Sequence, residues 1–410
     1  MRKLIIEALR DFFERGNAFF ASPISAEKIL DFLDSETIDD FYRKGVVLVE
    51  EIGREHLKEE LIGQLLVKDL MSFEKQVRPI LPSHRDHFVH SIFVYLTGLY
   101  IYAEIGSIRK WFKNRYKAEE IVWKIRPESY YSDELVNHNF LFRWRMVALF
   151  HDLAYPLEIS AKLMNEYSNN SITSYGKPEY VGEKAFFGFR INDIENFYYL
   201  GHLASLEMPP HGTIGGDQFN WIDCIRLIAY KMSEDGNFTW PRADKHIDYL
   251  TERIKNYFVS SLNKGLIDHG LFSAVIFLKW CMKLYREHQY EPSDAWKAKY
   301  FYTAIADSAK VIALHTMHRR LFSPIVPICL REAPLTYLLI LCDELQEWFR
   351  ISGEQDFSCG TVFENHINSF EIDTGAEGIK VKIGDADKTD SIIKKLECLI
   401  IPCVVEKIEI

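Results

Sequence analysis

Six side chains of the types that bind transition metals stand in five apolar stretches of this sequence. They are His90 in His87-Phe88-Val89-His90-Ser91-Ile92, His151 and Asp152 in Leu149-Phe150-His151-Asp152-Leu153, His269 in Asp268-His269-Gly270-Leu271, His315 in Ile312-Ala313-Leu314-His315, and Asp343 in Ile340-Leu341-Cys342-Asp343. Asp152 and Asp343 are the sharpest anomalies, because each closes a hydrophobic run that should be buried. An ionised carboxylate in such a place is costly unless it is paired or bound to a cation. Leu339 and Ile340, one turn before Asp343, are apolar, so the carboxylate sits on or near a core-facing stripe. Ser308, Val311 and Ile312 give the His315 helix a small, apolar face, and Gly270, Ser273 and Ala274 let helices approach closely around His269. A metal centre would satisfy all six groups at once. Imidazole mixed with carboxylate suits Fe, Mn, Zn or Co better than Ca.

Taken one at a time, these groups have ordinary explanations. A lone His269 or His315 is also what a hydrogen-bonded core histidine looks like, and His-Asp dipeptides occur by chance. Asp343 has Arg319 and Arg331 as alternative partners. His84 and His87 read as surface groups or as outer supports of the centre. The joint order is harder to set aside.

That order, His90 … His151-Asp152 … His269 … His315 … Asp343, resembles the HD-domain superfamily of metal-dependent phosphohydrolases in its two-metal form. Phe150-His151-Asp152-Leu153-Ala154-Tyr155-Pro156 resembles the HD signature, with Ala154 where many members carry glycine. The resemblance covers about residues 85–350. It implies a helical HD core in which His90, His151, Asp152 and Asp343 hold one ion. Asp152 would bridge to a second ion held by His269 and His315. The implied cofactors are two divalent transition-metal ions. The implied reaction is hydrolysis of a phosphoester or phosphoanhydride bond, with Asp152 and His151 at its centre. By analogy with the family, the substrate is a nucleotide or a cyclic or linear dinucleotide. Members with Gly-Lys after the HD pair turn that lysine toward the phosphate, whereas this chain has Tyr155-Pro156 there. Lys162, Arg319 and Arg320 are therefore the candidate substrate-binding cations, with a solvated basic face as the plainer reading of the two arginines. Two rival expectations stay open: a di-iron oxygenase on the same fold, and a non-catalytic nucleotide-binding sensor or scaffold.

The elements that must position these groups are legible from periodicity and punctuation, and they predict a mainly α protein. Residues 1–75 read as helices, with Ile5, Leu9, Phe12 and Phe13 and then Ile29, Leu30 and Phe32 at helical spacing. In the central domain, 76–350, Ser83 with Asp86 three residues on reads as a capping box that opens a helix to about Tyr102. A second helix is expected from near Leu135 to Ala154, stopped by Pro156. Asp268 caps a third, Gly270 to Arg286, and Pro334 opens a fourth that ends before Gly353. Between about 165 and 244, glycine, proline and aromatics crowd together (Pro209-Pro210-His211-Gly212, for example), which suggests a lid or insertion. Residues 356–410 alternate with period two at 369–373, 379–383 and 404–408 around an expected helix, Asp390 to Leu396, making a small C-terminal α+β module.

Composition narrows the classes further. The chain has 410 residues, 48% of them hydrophobic, which at ~100–200 residues per domain predicts two or three domains and little disorder. A net charge of −10 argues against coating nucleic acid through the overall field, and there is no extended basic stripe for single strands. The seven cysteines contain no CxxC pair and sit mostly in apolar runs, as small hydrophobes do. The longest apolar stretch, Ile92 to Ala103, is broken by Thr97 and Gly98 and falls short of the ~20 residues a membrane span needs. The expectation is a cytoplasmic protein with a small-molecule phosphate or nucleotide substrate, no membrane partner, no strong nucleic-acid signal, and homo-oligomerisation left open.

Overall fold

In the computed structural model the described residues are 26–35, 37–53, 62–77, 86–116, 133–163, 206–208, 212–214, 221–234, 246–264, 266–288, 301–321, 328–345, 371–373, 379–383, 396, 399–400 and 403–407. The expected helix around Ile5 to Phe13, His84, the aromatic segment 175–199 and all of the expected 390–396 helix except Leu396 lie outside them.

The fold is mainly α. In chain order come α1 (Ala26–Leu33), α2 (Ile38–Gly53), a π-helical stretch (Ile62–Met71) running into α3 (Ser72–Val77), α4 (His87–Glu104), α5 (Gly106–Tyr116) and α6 (Asp133–Phe150). Next are α7 (155–163) and a short hairpin of β1 (Leu206–Met208) with β2 (Gly212–Ile214), followed by α8 (Trp221–Ser233), α9 (His246–Asn263) and α10 (His269–His288). A π-helical turn (Phe301–Ile305) leads into α11 (Ala306–Leu321), then β3 (Ile328–Cys329) and α12 (Pro334–Leu345). The last strands are β4 (Glu371–Asp373), β5 (Ile379–Ile383), β6 (Leu399–Ile400) and β7 (Cys403–Lys407). Among the described residues no single helix is long and apolar enough to cross a membrane.

The chain divides into two compact units, Met1–Leu149 with 235–237 and Ile325–Ile410, and Phe150–Glu234 with Phe238–Pro324. In the first, α4 is buried along nearly its whole length, as a helix that is apolar all round must be. Its N-cap is Asp86, whose Oδ1 accepts from Val89 N–H at 2.8 Å, and not the expected Ser83. The aspartate meets the free amide of the first turn from immediately before the helix, so the cap falls three residues later than the capping-box pattern suggested. Phe32, Phe41 and Phe93 pack edge-on and tilted with centroids 5.2–5.9 Å apart. Trp144 of α6 lies where a Cβ on Gly98 would be, and its indole N–H donates to the Tyr95 carbonyl at 2.9 Å. Two arginines are buried on the same helix. Arg143 stacks over Tyr116 at 4.4 Å and donates to Asn139, while Arg145 donates to the Ile52 and Leu141 carbonyls. The C-terminal strands form a sheet of order β4-β5-β7, antiparallel between β4 and β5 (Ile372 opposite Val381) and parallel between β5 and β7 (Val381 opposite Val405). The short β6 pairs in parallel with β3, just ahead of α12.

In the second unit, α6 has already ended at Phe150, four residues short of the expected Ala154, and 151–154 form a turn. Pro156 does not terminate that helix. It sits in the first turn of α7, where an amide would have no partner in any case. Part of the expected irregular insertion is also regular: α8 buries Cys224, Ile225, Leu227, Ile228 and Met232, so it belongs to the core of this unit. Two short strands, β1 and β2, flank the glycine- and proline-rich signal and pair antiparallel, Met208 opposite Gly212. Phe258 of α9 stacks on Phe272 of α10 at 4.4 Å, and Trp221 stacks on Phe258 at 5.2 Å.

Candidate metal centre

The turn after α6 presents two adjacent candidate ligands, His151 and Asp152. Tyr155 N–H donates to the Asp152 carbonyl at 3.0 Å, and Leu157 and Glu158 N–H donate to the Ala154 carbonyl at 3.0 and 3.2 Å, carrying the turn into α7. The turn is pinned to α10, because Ala154 N–H donates to Ser273 Oγ at 2.9 Å. His151 and Asp152 are both buried, with His151 Nε2 at 3.3 Å from Asp152 Oδ2.

Helices α10 and α11 supply the next two. Asp268 caps α10 as the sequence predicts, accepting from Leu271 N–H at 3.0 Å. It also accepts from the Thr316 hydroxyl of α11 at 2.5 Å and the Tyr257 hydroxyl of α9 at 2.6 Å, tying three helices together. Gly270 makes the close approach possible, since a Cβ there would collide with the Thr316 hydroxyl and the His315 ring. The His269 and His315 rings consequently lie with centroids 5.2 Å apart, and His151 is 5.2 Å from His315.

Asp152 is the common neighbour. Its Oδ1 is 3.5 Å from His269 Nε2 and 3.7 Å from His315 Nε2, and the ligand atoms of the three residues lie within 4.8 Å of one another. Donors placed about 2.0–2.2 Å from a shared ion stand ~3–3.5 Å apart, so this spacing is close to a ligand set. The tautomers agree. His315 Nδ1–H donates to the Ile312 carbonyl at 2.5 Å, and the buried Nε2 has no hydrogen-bond partner among the described residues. His269 Nδ1–H donates to Glu158 Oε2, again leaving Nε2 toward Asp152. Two imidazoles with their outer nitrogens engaged and their inner nitrogens facing one buried carboxylate fit a transition-metal ion. His315 is buried and the His269 side chain is 18% exposed, so the cluster has a rim open to solvent at His269.

Burial opposes a charge on His269, yet the Glu158 hydrogen bond and the Asp152, Glu158 and Asp268 carboxylates raise its pKa to about 9. Burial also works against ionising Asp268, but Arg320, His269, Thr316 and Tyr257 together hold its carboxyl below the usual range. His318, one turn beyond His315, is the opposite case: burial lowers it to about 4, only partly offset by its bond to the Leu314 carbonyl.

In the first unit, α4 and α12 bring His90 Nε2 to 3.0 Å from Asp343 Oδ1. Asp343 thus has an imidazole partner, while Arg331 lies over Trp111 at 5.4 Å and near Glu332. His87 is buried, not a surface group, with its ring 6.1 Å from His90. Buried His and Asp groups of this chain could therefore hold metal, as the sequence anticipated.

Of the three candidate phosphate-binding cations, Lys162 is exposed on α7, one turn beyond Glu158 and on the same face. Arg320 is half-exposed, with Nη1 3.7 Å from Asp268 Oδ2, and Arg319 is partly buried beside it. Sequence reasoning missed Glu158, Tyr257 and Thr316. Glu158 was hidden because Pro156 read as a stop, although an acidic residue just after an N-terminal proline is itself a helix-start signal. Set against family models, curated proteins and solved structures, the chain finds no match in any of the three comparisons, so the site is defined by its own geometry.

Proposed function

We propose that this chain is a metal-dependent phosphohydrolase or phosphodiesterase of the HD type, acting on a nucleotide or a cyclic or linear dinucleotide. The observation that supports the reading is the meeting of Asp152, His269 and His315, three groups far apart in sequence, with both imidazole Nε2 atoms turned to one carboxylate. In this proposal Asp152, His269 and His315 hold one ion, and the second ion, on His90, His151, Asp152 and Asp343, is what the resemblance to the HD family implies. Divalent Fe, Mn, Zn or Co bound there would activate water for attack and offset charge on the phosphate. Asp152 would serve both sites, which gives its carboxylate more weight than any other group. His151 would be oriented by its neighbour Asp152. His315 would be fixed by the Ile312 carbonyl and His269 by Glu158, so that neither ring needs to reorient on binding. Arg320, half-exposed and facing Asp268, would receive a phosphate oxygen, with Arg319 and Lys162 adding positive charge.

Elemental analysis of the purified protein tests the reading, followed by a nucleotide panel screened for released phosphate or monophosphate. Asp152→Ala should lose both ions and His315→Ala mainly one, each with loss of turnover. Equal metal content in wild type and Asp152→Ala would overturn the assignment. Oxygen consumption with phosphoesters left intact would move the reading to a di-iron oxygenase, and nucleotide binding without turnover to a sensor.

A further inference from the structure

We propose that Glu158 is a positioning residue of the metal centre, holding His269 in the tautomer and orientation that ligation needs. The inference rests on the metal reading of Asp152, His269 and His315 and adds a residue to it. Glu158 Oε2 accepts the Nδ1 proton of His269, while Nε2 of the same ring faces Asp152 Oδ1 at 3.5 Å. Both partners of this ring come from a single short segment. Asp152 lies in the turn and Glu158 follows it, and the turn is fixed by the Ala154 carbonyl accepting from Leu157 and Glu158 and by Ala154 N–H on Ser273. One rigid piece of backbone therefore sets the ring from both sides. The Glu158 side chain is 30% exposed, so its contact with His269 is not forced by burial. A carboxylate on the outer nitrogen of a ligating imidazole fixes the tautomer, raises ligand basicity and, on removal, typically costs about 10–100-fold in metal affinity.

The test is a Co(II) titration of the full chain after removal of metal, followed by visible absorption and calorimetry, with melting curves as the folding control. Glu158→Ala should weaken the His269-dependent ion by about 10–100-fold and change its absorption band. Glu158→Gln, whose amide oxygen still accepts the Nδ1 proton, should lose less. In a His269→Ala background, Glu158→Ala should have no further effect. Wild-type affinity in Glu158→Ala, or an equal loss with and without His269, overturns the proposal while leaving the metal centre standing. If wild type binds Co(II) no better than Asp152→Ala, the metal reading itself fails and this inference with it.

Discussion

His269 is where the electrostatics of the centre are concentrated. It is one of three mutually close ligand atoms, and in the absence of metal the surrounding Glu158, Asp152 and Asp268 carboxylates raise its pKa to about 9 against the pull of burial. A folded-state pKa above the unfolded value of ~6.5 stabilises the fold through the bound proton. That contribution is fully present below about pH 6.5 and is lost as pH rises through about 9. The metal-free protein should therefore melt progressively lower between pH 6.5 and 9, and His269→Gln should remove most of that slope. Melting curves in chelator across this range check it, and a flat profile would contradict the assignment. An ion at Nε2 competes with the same proton, so ion-bound protein should show a weaker slope of this kind.

At the scale of elements, the site depends on how closely α10 and α11 can approach. Gly270 is the contact point, and any side chain there meets the Thr316 hydroxyl and the His315 ring. Gly270→Ala should cost about 1–3 kcal/mol in denaturant unfolding, because neither neighbour can retreat without breaking the bonds to Asp268 or Ile312. Gly106→Ala is the control: among the described residues its Cβ would meet only Arg109 Nη2, at 3.8 Å, so stability should change little. Asp268 works at the same scale. One carboxylate caps α10, accepts from α9 and α11 and faces Arg320, so the helix start and the helix packing share a single anchor. The turn 151–154 is the third device, replacing the expected continuation of α6 and carrying both candidate ligands, His151 and Asp152, out of regular helix.

For the molecule as a whole, charge and stability bear on the proposal in different ways. The acidic balance of −10 does not prevent anion binding at a locally positive centre, because neutral imidazoles leave bound divalent ions with net positive charge. Binding to the folded state alone raises stability by mass action, by about 2.7 kcal/mol at a hundred times the dissociation constant. Calorimetry should show a melting temperature that rises with added Mn(II) or Zn(II) and falls again with chelator, whereas Asp152→Ala should not respond. Because the chain forms two compact units, the trace should be read for separate transitions before any single free energy is taken from it.

Much of the helical fold could be read in advance, since local signals carried it: Asp268 capping α10, Pro334 opening α12, and the two-residue alternation that became β5 and β7. The ligand candidates were also legible, because a charged group closing an apolar run is a local contradiction visible without coordinates. Where α6 ended was not. Pro156 is compatible with either a stop or a start, and the choice was made by the Ser273 hydroxyl, which lies more than a hundred residues away in sequence. The same holds for Glu158, Tyr257 and Thr316: ordinary surface-type residues in their own segments, they acquire roles only from partners on other helices. Sequence by itself determined which metal-competent side chains stand in apolar runs and that the fold around them would be mainly helical. Only tertiary structure decided which groups meet and which nitrogen of each ring faces Asp152, because those depend on distances between elements that local periodicity does not encode.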